Sequence, residues 1–75
     1  MTAIHIPLQP TWNCCGCGEP WPCESARRRL LAAYADAPVS LRVVMGLRLV
    51  DAAENLHDVS GEALYERFVG WARLN

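Results

Sequence analysis

The sequence predicts a small, mainly α-helical fold in which an irregular N-terminal loop precedes a three-helix bundle. Three observations carry this expectation. All four cysteines and four of the five prolines fall within the first 23 residues, where Glu19 is the only charge. From Glu24 onward the composition changes to helix formers with apolar residues at helical spacing. Finally, 75 residues leave room for one domain only, and a chain this short buries roughly 60% of the surface its unfolded state exposes. The expected organisation is a single domain over 1–75, with a loop at 1–23 and helices at 24–36, 38–57 and 60–74.

The loop cannot be helical, because Pro7, Pro10, Pro20 and Pro22 interrupt it; a short strand is expected at Ile4-His5-Ile6. In the first helix Ala26, Leu30, Ala33, Tyr34 and Ala37 recur on one face with Arg27 and Arg28 outside it. Ser25 or Glu24 is the expected cap, and Glu24 with Arg28 forms a favourable i, i+4 pair. Pro38 ends this helix and suits the first turn of the next, with Ser40 as a second candidate cap. The second helix runs through Leu41, Val43, Val44, Met45, Leu47, Leu49 and Val50, apolar on nearly every side. Val43 and Val44 beside Gly46 would also suit a strand, but Asp51–Leu56 extends the segment past strand length. His57–Gly61 reads as a turn, Ser60 as an N-cap, and Leu64, Tyr65, Phe68, Val69, Trp71 and Ala72 as the broad apolar stripe of the third helix. Gly70 within it suggests close packing of a neighbour.

Bulk properties narrow the function. The chain is 52% hydrophobic, with a mean hydropathy of +0.05, so it collapses rather than remaining disordered. Its net charge of −1 provides no global field for nucleic acid or an anionic membrane. Residues 24–50 nevertheless balance to +3 and residues 51–75 to −3, halves suited to neutralising one another across a helix pair. All seven basic residues are arginine, which with the frequent alanine marks a GC-rich genome and concerns the source alone. The N-terminus lacks a basic start and an apolar run for a signal peptide, and Val43–Val50 is far shorter than the roughly 20 residues of a membrane span. A cytoplasmic location is expected, where closely spaced cysteines are more often metal ligands than disulfides.

A core this small gains from a covalent or metal clamp, and Trp12-Asn-Cys14-Cys15-Gly16-Cys17-Gly18 supplies a Cys-x-x-Cys-Gly turn. In such a turn two thiolates face one point, and the glycine tolerates the left-handed backbone that this demands. Cys23, at the start of the first helix, is the natural third ligand, because the helix dipole favours a thiolate there. A structural Zn2+ takes four ligands. His5 is the fourth candidate, since Pro7 and Pro10 stiffen the connection that would return it to the knuckle. The expected metal set is therefore His5, Cys14, Cys17 and Cys23. Cys15 lies between two ligands and points elsewhere, as a bystander thiol, and His57 is a cation near a helix C-terminus. Cys15 and His57 remain the alternatives for completing the site, and two disulfides are the alternative for the cysteines together.

Trp12 and Trp21 bracket the knuckle, and the first expectation is that they cover the metal and pack on the helices. The alternative makes an exposed indole, with Arg27 and Arg28, a binding surface for a protein or for single-stranded nucleic acid. No Ser/His/acid set or phosphate-cradling glycine loop is present, and a filled zinc site has no open position for water, so no enzymatic activity is expected.

The stretch Pro10-Thr-Trp-Asn-Cys14-Cys15-Gly-Cys17-Gly-Glu-Pro-Trp-Pro-Cys23, followed by an arginine-rich helix and Leu64-Tyr-Glu-Arg-Phe-Val-Gly-Trp71, resembles a group of small actinobacterial zinc-finger-like proteins. These share a Trp-x-Cys-x-x-Cys-Gly-x-x-Trp-Pro-Cys core. The resemblance covers most of the chain and implies that Cys14, Cys17 and Cys23 are the shared cysteines, with Cys15 particular to this sequence. Some of the group are labelled flavin reductases, but 75 residues leave no room for a flavin-binding barrel. The expected function is that of a zinc-stabilised helical interaction, adaptor or regulatory module whose partner is a protein, with homodimerisation through the apolar second helix as one form. The alternatives are a nucleic-acid-binding zinc finger and a thiol redox-responsive zinc switch.

Overall fold

The computed structural model describes residues 4–72. In chain order these form β1 (Pro7–Leu8), β2 (Asn13–Cys14), α1 (Glu24–Ala33), α2 (Pro38–Asn55) and α3 (Gly61–Tyr65), which runs directly into a π-helical turn at Glu66–Gly70. The fold is mainly α. Its two strands are short and antiparallel, pairing Pro7 with Cys14 and Leu8 with Asn13. The strand thus lies just after the expected Ile4–Ile6 segment, although Ile6 O still accepts from Cys15 N at 2.9 Å. The third helix, expected to run to residue 74, stops at Gly70, where Trp71 and Ala72 turn away; residues 73–74 lie outside the described residues.

Helix boundaries follow local chemistry. Cys23, not Ser25 or Glu24, occupies the N-cap position of α1, and the expected Glu24–Arg28 pair forms on its exposed side. The helix stops at Ala33, short of residue 36. Pro38 bars helical backbone at Ala37, which sits at φ −145° and ψ 62°, so the chain leaves through two tight turns closed by Ala35 N→Ala32 O and Ala37 N→Tyr34 O. Pro38 opens α2 as expected, but Ala37 rather than Ser40 holds its N-cap position, and no side chain caps it. That helix closes at Asn55, two residues before the expected end, where Leu56 turns out of helical geometry. Ser60 caps α3 as expected, its hydroxyl accepting from Ala63 N at 3.1 Å.

The core joins the loop to the helices. Trp12, Cys14, Trp21 and Cys23 from the loop are buried together with Ala26 of α1, Leu41, Met45 and Ala52 of α2, and Leu64, Phe68, Val69 and Ala72. Trp12, Trp21 and Phe68 form an aromatic triangle with ring centroids 5.7–6.5 Å apart; Trp12 meets Phe68 edge-on at 83°, a favoured aromatic geometry. The π turn lies where Phe68, Val69 and Gly70 are buried in succession. At Gly70 an added Cβ would meet the carboxylate of Glu66, one turn earlier, rather than a neighbouring element. Among the described residues, no helix is long and apolar enough to cross a membrane.

Candidate metal centre

The loop from Ile6 to Cys23 is folded by its own backbone. Trp12 N donates to Leu8 O at 2.7 Å, Cys14 N to Glu19 O at 2.7 Å and Gly18 N to Cys14 O at 2.9 Å. Gly18 takes the left-handed conformation expected of it, at φ 76°. Trp12 is also left-handed, at φ 62°, which costs a bulky residue roughly 1–2 kcal/mol. Burial of its indole to 2% exposure and the hydrogen bond from its Nε1 to Asn55 Oδ1 at 2.8 Å oppose that cost.

The knuckle and the start of α1 bring His5, Cys14, Cys17 and Cys23 together, with one ligand atom from each and all four within 4.8 Å of one another. His5 Nδ1 lies 3.1 Å from Cys14 Sγ and 3.3 Å from Cys23 Sγ. Around a tetrahedral zinc with Zn–S of about 2.3 Å and Zn–N of about 2.0–2.1 Å, ligand atoms stand roughly 3.6–3.8 Å apart. The observed set lies within about 1 Å of that geometry, and one nitrogen with three sulfurs is a donor set suited to zinc. The side chains present therefore fit a metal ion, and the four are the residues expected from the sequence.

Surrounding groups act in opposite directions on the thiols of Cys14 and Cys17. Burial opposes charge on Cys14, but hydrogen bonds from the backbone N–H of Cys17 and Gly16, together with His5 and Cys17 side-chain contacts, outweigh it and bring the thiol down to about 6. Gly16 N lies 3.3 Å from the sulfur. For Cys17, a backbone hydrogen bond at Glu19 favours the thiolate, but burial and the nearby Cys14 and Cys23 sulfurs prevail and raise its pKa. Like charges held this close ionise reluctantly unless a cation joins them. Cys23, at the N-cap of α1, faces the positive end of that helix.

The remaining expected residues divide. Cys15 is exposed, with its thiol donating to Ile4 O at 3.3 Å, and stands outside the cluster, as does His57. None of the four cysteines forms a disulfide. Trp12 and Trp21 are buried, so neither offers a surface to a partner; Trp21 Nε1 donates to His5 O at 3.1 Å and thereby fixes the backbone of a candidate ligand. Arg27 is held, its Nε donating to Pro22 O at 2.9 Å and its guanidinium lying 5.8 Å from the Trp71 ring centroid. Arg28 is exposed and pairs with Glu24.

Sequence reasoning missed Arg67. From the π turn its Nε donates to Trp21 O and its Nη2 to Trp12 O, both at 2.8 Å, so one side chain fastens the third helix to both sides of the loop. Burial, and then the charge of Arg27, lower its pKa. No periodicity marks such a residue; an arginine interrupting the apolar run of the third helix is the only signal. Comparisons of the chain with protein-family models, with curated proteins and with solved structures return no match.

Proposed function

We propose that this protein is a zinc-stabilised helical interaction module, in which a structural Zn2+ held by His5, Cys14, Cys17 and Cys23 clamps the N-terminal loop onto α1. The observation that carries this reading is the convergence of these four ligand atoms within 4.8 Å. Four protein ligands fill a tetrahedral ion and leave no position for a reacting water, which favours a structural over a catalytic role. Trp12, Trp21 and Arg67 tie the clamp to α2 and to the third helix, and Cys23 joins it to α1, so ordering the loop supports the bundle expected from the sequence. The same cysteine and tryptophan pattern carries the resemblance to the small actinobacterial zinc-finger-like proteins and suits a protein acting in the cytoplasm.

Burial of both indoles and the engagement of Arg27 and Arg67 with backbone carbonyls weigh against the nucleic-acid reading, which needs exposed rings beside free cations. The exposed Cys15 beside Cys14 favours the redox-responsive reading as a secondary one. Metal analysis of the purified chain tests the main proposal. One zinc per chain is expected; Cys23→Ser should lose both metal and helicity, and His5→Ala should bind zinc more weakly. A metal-free, fully helical protein would reject it.

A further inference from the structure

The outer face of α2 has no partner within the chain. Leu41, Met45 and Ala52 bury one side of the helix, while Val39, Val43, Leu47 and Val50 stay 58–63% exposed on the other. The molecule is flat, 34 × 32 × 14 Å, and among the described residues nothing covers this stripe. Exposed side chains at i, i+4, i+8 and i+11 form one continuous seam rather than scattered surface residues.

We infer that this seam pairs antiparallel with the same seam of a second copy, about a two-fold axis passing between Gly46 and Leu47. The interaction part of the proposed function thereby gains a specific partner. The pattern is self-complementary. At 100° per residue, Val43 with Val50 and Gly46 with Leu47 are placed symmetrically about the centre of the exposed face. An antiparallel pair therefore sets Val43 of each copy against Val50 of the other. The two Leu47 side chains meet on one side of the axis and the two Gly46 on the other. An added Cβ at Gly46 would meet nothing within 4 Å, so the backbones can approach closely there. An apolar groove of about 520 Å³, running beside Gly46 toward Tyr65 and Val69, continues the same surface.

Charge selects the second copy as occupant. The first turn of α2 contains no acid, and its N-cap residue Ala37 provides no side-chain cap. The antiparallel register places exposed Glu54 of the opposite copy at the level of Val39, beside that uncapped, positive helix end. The contact forms twice by symmetry, as in an isologous dimer. Arg48 is paired with Asp51, and Arg42, which lines the groove beside Gly46, is engaged there by donating to the Tyr65 hydroxyl at 3.1 Å.

Sedimentation velocity of the zinc-loaded full chain, across about 10 µM to 1 mM, tests this. The native chain should pass from monomer to dimer, and Val43→Glu or Val50→Arg alone should weaken association about tenfold or more. The double variant Val43→Glu/Val50→Arg should recover it, because opposite charges then face each other at both contacts; a parallel pairing would not. Far-UV circular dichroism and zinc content, read on the same samples, should match the native chain. A native chain that stays monomeric throughout, a Val43→Glu variant that dimerises normally, or a double variant without recovery would overturn the inference. None of these outcomes bears on the metal clamp, whose failure would appear as missing zinc.

Discussion

Arg67→Met separates fastening of the loop from metal binding. The change keeps most of the aliphatic length but removes the two 2.8 Å hydrogen bonds to Trp21 O and Trp12 O. Charged hydrogen bonds contribute about 1.5–3 kcal/mol each when buried. The Arg67 guanidinium is only part-buried, and Trp12 O also accepts from Trp21 N at 2.9 Å, so about 1 kcal/mol each, or about 2 in total, is the appropriate figure. A domain of this length has a stability of about 4–11 kcal/mol, and each kcal/mol moves its melting temperature by about 4–8 °C. Arg67→Met should therefore melt about 8–16 °C lower by far-UV circular dichroism while retaining its zinc. Arg67→Lys should recover only part of the loss, because a point charge cannot supply the forked donor pair. A shift of less than about 2 °C would show that the side chain does not fasten the loop.

Two further outcomes follow from the site. Cys15→Ser should bind zinc with native stoichiometry and change stability by less than about 0.5 kcal/mol, since the exposed thiol lies outside the ligand set; loss of metal would place Cys15 within it. Stability should also fall with acid. The folded-state pKa of Cys14, about 6, is depressed from 9.0, so its contribution is fully present above pH 9 and is lost as pH falls through about 6. Proton competition for the metal ligands acts in the same direction. Melting temperatures measured from pH 9 down to pH 5 should decline together with zinc retention, and a flat profile would contradict this assignment.

Much of the site was legible because its determinants are local. The Cys-x-x-Cys-Gly spacing dictates a turn that points two sulfurs inward, Pro22-Cys23 places a third at a helix start, and two prolines limit where His5 can go. The three helices were legible from periodicity and from Pro38 and Ser60. What local pattern could not supply lies at long range. Arg67 reaches back 46 and 55 residues to its carbonyls, and Trp12 reaches forward 43 residues to Asn55. These contacts decide that both indoles are interior, which spacing left open. The early end of α1 lies in the tight turns Ala35 N→Ala32 O and Ala37 N→Tyr34 O that carry the chain to Pro38, which periodicity does not reveal, and the displaced strand reflects pairing of Pro7 with Cys14, a register settled by the knuckle rather than by strand propensity.

Helicity measured by circular dichroism during exhaustive chelation under reducing conditions, followed by stoichiometric zinc, tests the central claim most directly. The clamp account predicts loss of most helical signal as metal leaves and its return with one equivalent of zinc, because structural zinc contributes on the order of 10 kcal/mol to small domains. A chelated, fully reduced chain that keeps its helices and melts as before would contradict it.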